Sequence, residues 1–188
     1  MVCTDSGPLA PAHYLYPGSH TGASDEPVAF ARQHLRSGRP LLAAAFDLAC
    51  AIHRDFEYAP GATGVETPAE QGWGLHRGVC QDFSHIMLAA MRSLGLPSAY
   101  VSGLLRTRPP PGKARLEGAD AMHAWVSVWL GSAAGWVEMD PTNALLAGQD
   151  HIRIAVGREY ADVAPIDGVI VVSGDQEHDL AVDVVPAD

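Results

Sequence analysis

A cysteine, a histidine and an aspartate, each at the edge of a predicted element, could together carry out acyl transfer. Cys80 stands in Arg77-Gly78-Val79-Cys80-Gln81-Asp82-Phe83, where a glycine-bearing turn meets an amphipathic helix. Behind it Phe83, Ile86, Met87, Ala90, Met91 and Leu94 recur at helical spacing. A thiol in the first turn of a helix faces unpaired backbone amides and the positive end of the macrodipole. Both favour thiolate, the nucleophilic form. Met122-His123-Ala124-Trp125 supplies an imidazole where an alternating strand begins, and Glu138-Met139-Asp140-Pro141-Thr142-Asn143 a carboxylate where the returning strand ends. A hairpin turn at Gly131 to Gly135 joins the two strands and brings His123 and Asp140 close to opposite each other, with Cβ atoms roughly 5 Å apart. Cysteine nucleophile, imidazole base and orienting carboxylate are the resulting roles.

Other residues would support these three. The backbone N–H of Cys80 is a natural donor to an oxyanion, and the side chain of Gln71 or Trp73, just upstream, is a candidate for the second donor. Asp82 is placed to cap the Cys80 helix or steady its first turn. Trp125, Trp129 and Trp136 read as sheet core or groove wall. His85 is not on the Cys80 face of its helix and suits a helix-surface or interhelix hydrogen bond. His76 and Arg77 read as solvated loop residues. His13, His20, His34, His53, His151 and His178 show no ligand spacing, and no acidic calcium-loop pattern occurs, so neither a metal nor another cofactor is expected.

The elements that must hold these groups read as helices first and a sheet afterwards. Residues 1–24 form an irregular arm rich in Gly, Pro, Ser and His; residues 25–188 form the catalytic domain. Ser24-Asp25-Glu26-Pro27 starts a helix running to about Ser37, and Gly38-Arg39-Pro40 separates it from a second over about Leu41 to Phe56. Thr67-Pro68-Ala69-Glu70 has the capping-box pattern of a short helix. Gly95-Leu96-Pro97 ends the Cys80 helix. Strands follow at Ser98 to Leu105, His123 to Leu130, Trp136 to Met139, Ile152 to Val156, Val169 to Val172 and Leu180 to Val185, with a polar, Pro-rich loop from Thr107 to Gly118. The order implies an α+β domain with a mostly antiparallel sheet.

Composition limits the functions open to it. At 188 residues the chain can bury a substantial core, and a formal charge of −10 argues against binding nucleic acid or an anionic membrane. The longest apolar run, Leu41 to Ile52, is too short to span a bilayer, and no secretory leader is visible at the N-terminus. Three cysteines leave at least one unpaired, which points to a reducing, cytoplasmic setting. Oligomeric state is not written in the sequence.

Gly78-Val79-Cys80-Gln81-Asp82-Phe83, Leu94-Gly95-Leu96-Pro97-Ser98-Ala99-Tyr100-Val101-Ser102-Gly103, His123-Ala124-Trp125, Gly135-Trp136 and Asp140-Pro141-Thr142-Asn143 together resemble the bacterial transglutaminase-like superfamily. The likeness runs on through His151-Ile152 and Gly157-Arg158-Glu159-Tyr160-Ala161-Asp162-Val163-Ala164-Pro165. It implies a papain-like α+β core with Cys80 as nucleophile, His123 as base and Asp140 as orienting acid, and places Tyr160 and Asp162 in a family motif as groove lining. Related bacterial proteins usually carry a β-rich region before this core, to whose end Pro8 to Gly18 would correspond.

The expected activity is cysteine-dependent acyl transfer on amide bonds of a protein or peptide through a thioester. Hydrolysis, as in a protease or amidase, is favoured over transfer to an amine, because transfer needs a groove that excludes water and admits a lysine. Alternatives are acyl transfer to small arylamines, with the basic Arg106 to Arg115 loop meeting acyl-CoA phosphates, and a non-enzymatic binding domain that keeps the triad.

Overall fold

The computed structural model describes residues 7–22, 24–107, 120–165, 168, 171, 173–174 and 181–185. Four helices lie among them: α1 (Asp25–His34), α2 (Leu41–Asp55), α3 (Ala69–Leu75) and α4 (Cys80–Ser93). Two short strands, β1 (Glu57–Tyr58) and β2 (Arg77–Gly78), pair in parallel just before α4. The main sheet comprises β3 (Ser98–Leu105), β4 (Ala121–Trp129), β5 (Trp136–Asp140), β6 (Leu145–Leu146) and β7 (His151–Gly157). Its order is β6-β5-β4-β3-β7 and every pairing is antiparallel, so the α+β, papain-like architecture holds.

Helix α4 is the centre of the molecule. Residues Gln81 to Arg92 are all buried, packed between the other helices and the sheet. The face of β4 carrying Ala124, Val126 and Val128 lies on it, with Tyr100 and Met139 from the neighbouring strands. Each large side chain withdrawn here, such as Ile86, Met87 or Leu88, contributes about 1.5–3 kcal/mol of apolar burial. At its end the N–H of Leu96 returns to the Met91 carbonyl at 3.1 Å, across Gly95 at φ +72°, a conformation that favours glycine.

Residues 7–22 are irregular apart from one 3-10 turn, Pro11–Tyr14, but they are anchored at several points. Tyr14 meets Trp136 edge to face at 5.3 Å. The Glu159 carboxylate accepts the backbone N–H groups of Ser19 (3.0 Å) and His20 (2.9 Å) and the Ser19 hydroxyl (2.6 Å). Arg92, buried in α4, donates to Thr21 Oγ1 at 3.0 Å and to the carbonyls of Ser98 and Arg158. Burial lowers its guanidinium to about 10.

Several expected boundaries shift for local reasons. Helix α1 stops at His34, because Leu35 leaves helical geometry at ψ 61°. The capping box at Thr67 does not form. Thr67 Oγ1 instead accepts from the Gly64 N–H at 2.9 Å, and the Ala69 N–H goes to the His20 carbonyl at 2.8 Å. Of the expected strand at Leu180 to Val185, the described residues show one bridge, Val182 to Asp120. The Thr107 to Gly118 loop and the Val169 to Val172 strand fall largely outside the described residues. No helix among the described residues is long and apolar enough to cross a membrane.

Gly103 is where the sheet closes most tightly. The β3–β7 register shifts between Ser102 and Gly103, and a Cβ at Gly103 would lie 2.2 Å from the Ile152 carbonyl oxygen and 2.5 Å from Trp125 Cη2. Gly103→Ala is therefore expected to cost about 2 kcal/mol or more, seen as a melting midpoint lowered by roughly 4–8 °C. An unchanged midpoint would show that backbone and indole give way freely.

Candidate active site

The turn into α4 is built around a buried carboxylate. Asp82 Oδ2 accepts the Val79 N–H at 2.7 Å and the Thr63 hydroxyl at 2.6 Å, so Asp82 caps the helix that begins at Cys80. A Cβ at Gly78 would fall 2.5 Å from that same oxygen, which explains a glycine two residues before the cysteine. Gln81 donates its side-chain N–H to the Val65 carbonyl at 2.8 Å and ties the preceding loop to the same turn. Cys80 thus lies at the first helical residue, where backbone N–H groups lack intrahelical acceptors.

His123 is buried on β4 and its ring stands beside two groups. Nε2 donates to Asp140 Oδ2 at 2.7 Å, and the ring lines one cleft together with Cys80. The β4–β5 ladder runs from Trp129–Trp136 to Val126–Met139. Continued by one step it sets Asp140 against Trp125, so the carboxylate reaches His123 diagonally rather than from directly opposite. Burial alone would lower the His123 imidazole, but the bond to Asp140 and the neighbouring Cys80 outweigh it and hold it at about 9. Burial works to raise Asp140, yet bonds from His123, His151 and Asn143 keep it far below the usual carboxylate range.

Two clefts meet at Met122 and His123. One, of about 200 Å³, is lined by Cys80, Gln81, Tyr100, Ser102, Tyr160 and Pro165 among others. The other, of about 300 Å³, is bounded by Tyr58, Leu105, Thr107, Thr142 and Asn143. Tyr160 is fixed there by its backbone N–H, which donates to His85 Nε2 at 3.2 Å. His85 is fully buried, not at the helix surface, and burial lowers it to about 4, keeping it a neutral acceptor.

Other candidates sit elsewhere. The Trp73 indole is buried against Phe30 and Phe56, and its N–H donates to Glu26 Oε2 at 3.2 Å, so it faces α1 and not a substrate oxygen. Gln71 is exposed on α3 and lines neither cleft. Asp162 accepts the backbone and side chain of Arg158, and lines a separate hollow with Tyr14 and Val156. Trp125 is core and not groove wall: it stacks on His123 (6.0 Å) and gives its N–H to Glu138 at 2.8 Å.

His151 is the residue that sequence spacing does not reveal. Its Nε2 lies 3.2 Å from Asp140 Oδ2, brought there by the return from β6 into β7. His123, Asp140 and His151 bring three possible metal-ligand atoms within 4.8 Å of one another. Both ring nitrogens point at one carboxylate oxygen, at hydrogen-bond distances, so these atoms are spent on each other rather than arranged around an ion.

Comparison with known proteins bears on this arrangement. Residues 28–141 match the sequence model of the Transglutaminase-like superfamily. An uncharacterised protein of Mycobacterium tuberculosis is 45% identical over 152 residues, covering 79% of this chain and 48% of the relative. One from Mycobacterium leprae is 40% identical over 130 residues, covering 68% and 44%. The chain thus spans about half the length of these relatives. The crystal structure of a candidate cysteine protease from Cytophaga hutchinsonii superposes with a TM-score of 0.65 at 26% identity, over 80% of this chain and 48% of that one.

The His123–Asp140 pair gives stability a definite pH dependence. Since the folded-state pKa of His123 is raised, its contribution is complete below about 6.5 and is lost as pH rises through about 9. The His123 ring is expected to titrate near 9 by NMR, and to fall back toward or below 6.5 in Asp140→Asn. Thermal stability should decline across that interval in the native protein and stay flatter in the variant. A native His123 titrating near 6.5 would contradict the pairing.

Proposed function

Because the chain belongs to the transglutaminase-like superfamily, we propose that it is a cysteine-dependent enzyme acting on amide bonds of a protein or peptide, with hydrolysis as the outcome. Cys80 Sγ attacks the carbonyl carbon. His123, protonated by the thiol and held by Asp140, returns that proton to the nitrogen as the C–N bond breaks, which releases an amine and leaves a thioester. Water then attacks the thioester, His123 takes its proton, and the acid departs as the thiol is regenerated. Helix α4 contributes backbone N–H groups near the developing oxyanion.

One observation carries this reading: the His123 ring shares a cleft with Cys80 and is bonded to a fully buried carboxylate. The candidate protease from Cytophaga hutchinsonii supports the hydrolytic branch. The two clefts, which meet at His123, give a polymeric substrate room on either side of the reacting bond. Transfer to an amine uses the same thioester and is the competing outcome.

Incubation with a peptide library plus a labelled primary amine separates them: hydrolysis yields new carboxyl and amino termini, transfer yields labelled glutamine side chains. Cys80→Ala is expected to abolish either product, by roughly a thousandfold or more, with a melting midpoint close to native. Iodoacetamide labelling of Cys80 should begin at higher pH in His123→Ala, which lacks the neighbouring imidazolium. Persistent turnover in Cys80→Ala, or an unmoved labelling profile, would overturn the assignment.

A further inference from the structure

The Asp140 carboxylate is fully buried and accepts five hydrogen bonds, which divide unequally in purpose. Oδ1 takes the backbone N–H groups of Thr142 (2.8 Å) and Asn143 (3.1 Å), within its own turn. Oδ2 takes His123 Nε2 (2.7 Å), Asn143 Nδ2 (2.7 Å) and His151 Nε2 (3.2 Å). The local bonds suffice to fix the plane of the carboxylate. The bond from His151 therefore does something other than aim it.

His151 is itself held in one state. The Gly148 N–H points at its Nδ1 at 3.4 Å, while its own backbone N–H returns to the Gly148 carbonyl at 3.0 Å. An acceptor at Nδ1 leaves the proton on Nε2, facing Asp140. The ring stands edge-on against Trp125, at 5.1 Å and 82°, and Trp125 in turn stacks on His123. Two imidazoles thus share one carboxylate oxygen with one indole between them.

We propose, resting on the catalytic reading above, that His151 is a positioning residue which acts through Asp140 and sets the strength of the His123–Asp140 bond by occupying part of Oδ2. A carboxylate oxygen that serves two N–H donors is a weaker acceptor toward each. Without His151, Asp140 grips the His123 proton harder, and the imidazolium becomes a poorer acid toward the leaving amine.

Among the described residues, the titratable or charged groups around the pair include Cys80 from α4, Tyr58 from β1, His53 from α2 on the Thr142 carbonyl, Glu138, which is paired with Arg153 beyond Trp125, and the Arg106–Asp150 ion pair beside His151. They are unchanged in the variants that test the idea. His151→Leu keeps bulk and removes the donor; His151→Gln keeps an N–H near Nε2. NMR titration of His123, which needs no substrate, is expected to move up by roughly half to one pH unit in His151→Leu, the worth of one neutral hydrogen bond. It should return toward native in His151→Gln. With a cleavable peptide, kcat should fall severalfold in the Leu variant while KM holds. Should His151→Leu not fold, His151→Asn, polar but too short to reach Oδ2, gives the same comparison with His151→Gln. A His123 titration that is unmoved or lowered, or equal in donor and non-donor variants, overturns the proposal. An iodoacetamide-inert Cys80 would instead sink the catalytic reading and leave the His151 titration test standing.

Discussion

A carboxylate fully withdrawn from the surface is the constraint on which the rest of this site depends. Removing an unpaired charge from water costs several kcal/mol even after the protein relaxes. Asp140 is tolerable at the end of β5 because backbone N–H groups, an asparagine amide and two imidazoles converge on it. Each donor makes a demand on the fold. The turn after β5 must curl tightly enough to return Thr142 and Asn143, and Ala144 completes it at φ 54°, a left-handed geometry that a non-glycine residue adopts at some cost. The sheet must put β4 beside β5 and carry the chain back into β7 so that His151 arrives beneath.

A second carboxylate organises the opposite component. Asp82 stands at the first turn of α4 as Asp140 stands at the end of β5; Asp82 accepts one backbone N–H close to it in sequence and Asp140 two. Between them stand Cys80 and His123, which line one cleft. The thiol is thus set by a helix terminus and the imidazole by a strand, and both elements are anchored in the same core through α4. That arrangement needs no flexible loop to hold a reacting atom.

What is legible in the sequence follows the range of the interaction. The α4 start and the β4–β5 hairpin announce themselves through local signals: a glycine before an apolar helical period, alternation on either side of a turn. Their neighbours His123 and Asp140 are readable for the same reason, though only the register shows that the contact is diagonal. His151 and Glu159 carry no such signal, because strand order and the path of the N-terminal segment determine their partners. Proximity in sequence misleads at Gln71 and Trp73: α3 precedes the cysteine closely, but its Trp73 faces α1 and its Gln71 faces solvent. Asp162 sits beside Tyr160 and still points into a different hollow, since successive residues of a tight turn diverge.

Glu159, which fastens the N-terminal segment, is joined by one peptide bond to Tyr160, which walls the Cys80 cleft. Gly18 passes so near that a Cβ there would lie 2.1 Å from the Glu159 carboxylate, and His20 stacks on His85, the acceptor of the Tyr160 N–H. Anchorage and cleft wall are therefore mechanically one piece. Free energy spent in detaching the segment is drawn in part from the ordering of Tyr160, and anything that orders Tyr160 more firmly makes detachment harder by the same amount. The segment that leads into this fold and the wall of the Cys80 cleft are thus linked through Glu159 and His85.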